Sequence, residues 1–331
     1  MTGRARLAAA LALAAALADP AAAQSYADRP EVRAFVAEMV RRHGFGQREL
    51  EQLFADARYL DSVVTLMTPP RRGEQSWRSY RDLFLNERRI EAGADFWRRH
   101  ARTLARARDA YGTPPEIVVA ILGIETEYGR NAGGVRAIDA LATLAFDYPR
   151  RGAYFRSELE QFLLYAREAR IDATTVRGSY AGAIGIPQFM PGSIRRFGVD
   201  FDGDGRVELR ASPADSIGSV ANFLKRHGWV AAAPVALPAR VAGERWRLLA
   251  DGGPEPIYRA QELRDLGVQF AGAIEPDTPS ALIELETPGE PSVRLVAFQN
   301  FAVLTRYNRS TFYAAAVAEL AAAVKTAYQT P

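Results

Sequence analysis

The chain has 331 residues, 48% of them apolar, with 42 Lys and Arg against 39 Asp and Glu and no cysteine. That length suits one large domain or two to three small ones, and the apolar content is ample for a core. A net charge of +3 with both signs mixed gives no footprint for a nucleic-acid partner. The lack of cysteine excludes a thiol nucleophile, a disulfide framework and a Cys-based zinc site, and His43, His100 and His227 are too far apart in sequence to read as a metal cluster.

Arg4 and Arg6 precede an apolar run from Leu7 to Ala18, too short to cross a bilayer, and Ala21-Ala22-Ala23 follows. Residues 1–23 therefore read as a secretory signal cleaved near Ala23, before Gln24. No cysteine is available for a lipid anchor, so the mature protein is expected to be soluble and periplasmic. Residues 31–65 read as helices, with Val32, Phe35, Val36, Met39 and Val40 on one face and Leu50, Leu53, Phe54 and Ala57 on another. Thr68 to Gly73 is a breaker-rich loop. Helix resumes over 76–111, with Trp77, Tyr80, Phe84, Ile90, Phe96, Trp97 and Leu104 as core positions.

Residues 113–130 carry the first sign of chemistry. Thr113 can cap a helix, Pro114 suits its first turn, Glu116 sits three residues after the cap, and Gly129 offers a stop. Val118, Ile121, Leu122 and Glu125 share one face, so a carboxyl ends an apolar stripe. Desolvation disfavours its charged form, which is what a general acid needs near neutral pH. The plainer reading is a helix-end glutamate paired with an arginine. Another amphipathic helix follows over 153–169, through Phe155, Leu159, Phe162, Leu163 and Ala166. After it comes the Gly-rich segment Gly178 to Pro191, which allows close backbone approach to a ligand or simply close packing.

Asp200-Phe201-Asp202-Gly203-Asp204-Gly205-Arg206-Val207-Glu208 matches the first nine positions of an EF-hand loop. Three converging carboxylates repel one another without a cation, and calcium suits all-oxygen ligands. Position twelve is Ala211 rather than Glu. The nearest downstream acid, Asp215, could close the site or serve as the N3 acid of a helix capped by Ser212 with Pro213 at N1. Helix is expected over 213–228. From 230 to 292 prolines and glycines recur, and 281–286 with 293–298, joined across Pro288 to Pro291, read as a hairpin. The last 30 residues return to helix, with Tyr313, Ala316, Val317 and Leu320 on one stripe.

Together these stretches resemble the lytic murein transglycosylase B family, glycoside hydrolase family 103. The carrying residues are Ile124 to Asn131, Gly182-Ala183 to Pro191, Val199 to Gly205, Ser216 to Asn222, and Thr305-Arg306-Tyr307-Asn308. The resemblance runs from about Pro30 to Leu320. It implies a mainly α (α+β) fold: an α-rich domain over 24–112, a lysozyme-like core over 113–229 with the EF-hand-like loop at 200–215, a small β-rich domain over 230–298, and a helical return over 299–331 completing the cleft. It implies cleavage of the β-1,4 bond between N-acetylmuramic acid and N-acetylglucosamine with a 1,6-anhydro ring as product, and Glu125 as single acid/base. Ser179, Gln188, Tyr307, Asn308 and Tyr313 match glycan-contacting positions, Arg150 and Arg151 a basic pair near the peptide side of the substrate, and Asp200, Asp202, Asp204, Arg206 (through its carbonyl) and Asp215 the calcium loop. The implied partners are peptidoglycan strands and proteins of cell-wall synthesis or remodelling, with Ca2+ as structural ion and no organic cofactor. The chain departs from the pattern at Phe223, where relatives can carry Tyr, in a loop about one residue longer between Asp204 and Asp215, and in lacking the lipid-attachment cysteine.

A conventional glycosidase needs two carboxylates about the scissile bond. Glu127 is the nearest candidate, but two residues along a helix turn about 200°, so unless the helix has already ended it would point away from Glu125, and it is expected to pair with an arginine. A one-carboxylate site suits a substrate that supplies its own nucleophile. Two rivals stay open at this level: a muramidase using water and a distant second acid, and a calcium-stabilised peptidoglycan-binding protein without activity.

Overall fold

The apolar stripes of 31–65 become three short helices, α1 (Pro30–His43), α2 (Gln47–Asp56) and α3 (Asp61–Leu66). The computed structural model describes residues 25–67 and 76–330, without the side chains of 250 and 251. The signal segment expected over 1–23 and the loop expected over 68–73 lie outside the described residues. Among the described residues two compact units emerge, 25–58 and 59–330. In the first, Val32, Phe35, Val36 and Met39 of α1 face Leu50 and Phe54 of α2, and the Phe35 and Phe54 rings meet edge to face at 5.9 Å.

The second unit continues through α4 (Trp77–Phe84), α5 (Glu87–Tyr111), α6 (Pro115–Thr126), β1 (Val135–Arg136), α7 (Ala137–Asp147), α8 (Gly152–Glu168), β2 (Arg177–Gly178), α9 (Pro191–Phe197) and α10 (Pro213–Arg226). Then follow β3 (Ala236–Val241), β4 (Tyr258–Arg259), α11 (Ala260–Asp265), β5 (Val268–Phe270), β6 (Pro279–Leu285), β7 (Val293–Ala297), α12 (Gln299–Tyr307) and α13 (Thr311–Gln329). Helix α6 is the axis of the packing. Nine of its twelve residues are buried, from Ile117 to Ile124 together with Thr126. Its neighbours are α5, α10 and α13, while α7, α8 and α9 stack beside one another. A helix apolar all round is stable only when covered on every side, and this one is.

The β-prone region forms a five-stranded antiparallel sheet in the order β4-β6-β7-β3-β5. The expected hairpin is present, with Ala281 opposite Ala297 and Leu285 opposite Val293. Trp246, Leu249, Leu263, Val268, Leu282, Val296 and Phe298 form a core beneath it.

Three local expectations need correction. Helix α6 starts one residue later than the Thr113 cap implies: Pro114 is the N-cap and makes no side-chain cap bond, and the Thr113 hydroxyl is buried without a partner. It also ends earlier than a Gly129 stop. Thr126 is its last residue, and Glu127 (φ 48, ψ 50) already takes the left-handed conformation, followed by Tyr128 at φ 62. Each such non-glycine residue costs about 1–2 kcal/mol. The cause is tertiary. Tyr128 lies between α5 and α6, its ring stacked on Phe96 at 5.5 Å, in space left by Gly93 and Gly123, where a Cβ would come within 2.4 and 2.6 Å of its hydroxyl. Finally, the C-terminal helical region is two helices, broken at Asn308–Ser310, where the Ser310 side chain caps α13 by accepting from Tyr313 N.

Candidate active site

Glu125 occupies the last turn of α6 and is only half-buried. The Tyr313 hydroxyl, from α13 and 188 residues away in sequence, donates to its Oε1 at 2.8 Å. Tyr313 is 1% exposed and stacks on Tyr307 of α12 at 6.2 Å and 11°. Tyr80 of α4 and Tyr307 lie close enough to feel the Glu125 charge. Burial among these rings pushes the Glu125 carboxyl up to about 7, against the Tyr313 hydrogen bond, which favours the ionised form. A carboxyl titrating there can both give and take a proton near neutral pH.

The Gly-rich segment is clamped between α6 and α12. Thr126 donates through Oγ1 to the Ile186 carbonyl at 2.8 Å, and Tyr307 donates through its hydroxyl to the next carbonyl, Pro187, at 2.6 Å. Gln188 follows with φ 50, its amide donating to the Gly185 and Ala132 carbonyls at 2.9 and 3.2 Å. Gln188, Tyr307, Asn308 and Arg151 line one cavity of about 550 Å³. Arg151 is exposed there, its guanidinium over the Tyr154 ring at 4.3 Å. Thus four of the seven expected substrate positions converge, and Tyr313 joins them to Glu125 through Tyr307. Ser179 and Arg150 are not among the residues lining that cavity. The Ser179 hydroxyl accepts from Ala183 N at 3.1 Å and closes a turn, and Arg150 is exposed.

Glu127 faces elsewhere, as its pairing with arginine requires. Its carboxylate accepts from Arg89 at 2.8 Å and Arg88 at 3.5 Å. The reasoning that placed it opposite Glu125 on a continuing helix fails, since the helix has ended, but the ion pair stands.

Tyr80 was read from the sequence only as a core position. It does pack on Phe84 and Phe312, at 5.1 and 5.8 Å, yet it also borders Glu125. Nothing in an amphipathic repeat separates the two roles. His227, Arg196, Arg306 and Arg309, which also line the cavity, were not singled out either. Their approach depends on how α9, α10 and α12 pack, which no local pattern records.

In the acidic loop, carboxylate oxygens of Asp200, Asp202 and Asp204 lie within 4.8 Å of one another. Asp200 accepts from Gly203 N and Gly205 N at 2.7 and 2.8 Å, and Asp204 from Arg206 N at 2.9 Å. Gly205, at the sixth EF-hand position, has φ 88. Clustered carboxylates held by backbone amides fit a hard cation with oxygen ligands. Asp215 is outside that cluster. It is the N3 residue of α10, whose N-cap Ser212 accepts from its backbone N at 3.1 Å. Its oxygens accept from Phe201 N at 2.7 Å and Glu208 N at 2.8 Å, so it ties together the two ends of the loop. Burial raises its carboxyl above the usual aspartate range despite those bonds.

Residues 27–322 match the family described as the transglycosylase SLT domain. The sequence is 40% identical over 311 residues to membrane-bound lytic murein transglycosylase B of Escherichia coli (strain K12), covering 91% of this chain and 84% of that protein. The fold resembles the catenated lytic transglycosylase SltB1 from Pseudomonas aeruginosa, with a TM-score of 0.87 and 43% identity over 92% of this chain and 99% of that one. It likewise resembles the Escherichia coli lytic transglycosylase Slt35 in complex with calcium, with a TM-score of 0.83 and 40% identity over 92% and 95% of the two chains.

Proposed function

The chain belongs to the transglycosylase SLT family and is a peptidoglycan lytic transglycosylase, and on that premise we propose that Glu125 is its single acid/base and that the product carries a 1,6-anhydro ring. Glu125, protonated, gives its proton to the oxygen that links N-acetylmuramic acid to N-acetylglucosamine. The carboxylate then takes the proton of the muramic 6-hydroxyl as that oxygen closes on the anomeric carbon. No water is consumed. The observation that carries this reading is the setting of Glu125, in the last turn of the buried helix α6 with its Oε1 accepting from Tyr313, where burial pushes the carboxyl up to about 7. Glu127, the neighbouring acid, is committed to Arg89. Gln188, Tyr307, Asn308 and Arg151 hold the glycan and its peptide stem beside Glu125, with Tyr313 orienting the carboxyl; Ser179 and Arg150 would meet the substrate outside that cavity.

Mass spectrometry of fragments from purified sacculi tests the reaction. Muropeptides lighter by one water than the reducing-end forms are expected throughout. Reducing ends as the primary product would make the enzyme a hydrolase and reopen the search for a second acid.

The same reading places the protein in the periplasm after cleavage near Ala23. Among the described residues no helix is long and apolar enough to cross a membrane. Asp200, Asp202 and Asp204, with the Arg206 carbonyl, would hold Ca2+, which supplies loop stability and no chemistry; Asp215, expected as a further ligand, would brace the loop through its bonds to Phe201 N and Glu208 N. Because calcium would bind the folded loop and not the unfolded chain, saturating Ca2+ is expected to raise Tm by about 3–6 °C over chelator-treated protein. Asp202→Ala combined with Asp204→Ala should remove the shift. Coincident melting curves for metal-free protein with calcium and with chelator would discard the site.

A further inference from the structure

We propose that Arg89 and Glu127 form a latch that positions the Glu125 carboxyl, so that both are positioning residues for the reaction; the inference rests on the reading of Glu125 as acid/base. Helix α6 ends one residue after Glu125, and the chain leaves through two successive left-handed residues, Glu127 and Tyr128. A free L-peptide avoids that path. Three bonds to α5 hold it here, and the two shorter ones arrive at Arg89. Its Nη2 donates to the Glu127 carboxylate at 2.8 Å, and its carbonyl accepts from the Tyr128 hydroxyl at 2.9 Å.

Arg89 is itself fixed. Its side chain is 10% exposed, against 75% for Arg88, so Arg89 is the anchoring partner. It donates through Nη1 to the Leu83 carbonyl, its backbone N reaches Asn86 Oδ1 at 3.0 Å, and its guanidinium lies over the Phe84 ring at 5.3 Å. The start of α5 thus forms a rigid bracket. The last turn of α6 transmits its hold, because Glu127 N and Tyr128 N donate to the Gly123 and Leu122 carbonyls, both at 3.1 Å, on either side of Glu125 in the turn. Tyr313 locates one oxygen of Glu125 from α13, and the latch locates the backbone that carries it.

The titratable groups facing Glu125 are Tyr80 of α4, Tyr307 of α12 and Tyr313 of α13, all held above the usual tyrosine range by burial. None titrates near neutrality. Among these groups the alkaline limb of the rate profile therefore reports Glu125, and a change at Glu127 reaches that limb by moving Glu125 toward or away from water.

Steady-state kinetics of Glu127→Ala across pH, with Glu127→Gln and the Arg89→Ala/Glu127→Ala pair, tests the latch. A displacement of about 1 Å at a catalytic group costs up to ~100-fold. Glu127→Ala is expected to lower kcat roughly ten- to a hundredfold with KM little changed, and to move the alkaline limb to lower pH. Glu127→Gln, which keeps an acceptor for Arg89, should recover most of the rate. The double variant should be little slower than Glu127→Ala, because the two residues act as one unit. Glu127→Ala with the kcat and pH profile of the parent protein would overturn the latch, as would a rate loss that only tracks the loss of folded protein by thermal melting. Glu125→Gln separates the two readings: an active variant removes the acid/base assignment, whereas an inactive one beside a parent-like Glu127→Ala removes the latch alone.

Discussion

Glu125→Gln should lower turnover of purified peptidoglycan by at least ~10³-fold while leaving the protein folded. General acid–base catalysis contributes typically ~10²–10⁴-fold, and here one group serves both the protonation of the leaving oxygen and the deprotonation of the attacking hydroxyl, which places the loss toward the upper end. Glutamine keeps the shape and can still accept from Tyr313, so what disappears is the transferable proton. The same substitution has a signed effect on stability. In the folded protein the carboxyl titrates at about 7 instead of 4.5. A raised folded-state value means that the stability carried by the protonated group is complete below the unfolded value and is lost as pH rises through the folded one. Ionising Glu125 above pH 7 therefore costs the native state about 3 kcal/mol relative to the unfolded chain. Gln carries no such cost. The variant should melt close to the parent protein at pH 4.5 and above it from pH 7 upward, the gap opening between those values. A Tm difference independent of pH would mean that Glu125 is not desolvated, and undiminished turnover would remove it from the chemistry.

Gly185→Ala should cost about 2–5 kcal/mol of stability and damage the cleft with it. Gly185 has φ 78, and a Cβ there would stand 2.3 Å from the carbonyl oxygen of Leu209 and 2.6 Å from its carbon. Both are backbone atoms, so no rotamer change relieves the clash. The left-handed conformation costs an alanine about 1–2 kcal/mol. Forcing apart packed backbone adds about 1–3 kcal/mol. The displaced segment carries the site: Ile186 N donates to that same Leu209 carbonyl at 2.8 Å, and Gly185 O accepts from Gln188 N at 3.1 Å and from its side-chain amide at 2.9 Å. Activity should therefore fall even where the variant remains folded. Gly289→Ala is the matched control, since Gly289 has φ 82 in the β6–β7 turn but open space where the Cβ would go. It should lose only the conformational part. Urea unfolding of both variants measures the difference; equal losses would mean that the Gly-rich segment gives way at Leu209.

Much of the molecule is written locally. The 3.6-residue periodicity over 153–169 became α8, with Phe155, Leu159, Phe162, Leu163 and Ala166 all buried, because such a stripe has only one way to leave water. The two β-prone runs flanking Pro288–Pro291 became the β6–β7 hairpin. The D-x-D-x-D-G order brought three carboxylates together largely through turns of the loop itself, with Asp200 accepting from Gly203 N and Gly205 N. Five ordered motifs were enough to place the chain in its family, and a carboxyl ending an apolar stripe marked Glu125 as a candidate beside the plainer reading of a helix-end ion pair.

What the sequence could not hold is set by groups far apart along the chain. The protonation of Glu125 depends on its burial and on Tyr313, 188 residues away, with Tyr80 and Tyr307 close enough to feel its charge. The end of α6 at Thr126 follows from Tyr128 filling the gap beside Gly93 of α5, and the Thr113 hydroxyl lost its capping role when the helix began a residue later. Asp215 could have faced either the acidic cluster or the loop backbone; the fold of 200–208 over α10 directs its oxygens to Phe201 N and Glu208 N. Periodicity records which residues must leave water. It does not record which neighbours they meet there, and desolvation, helix ends and hydrogen-bond partners are decided by those neighbours.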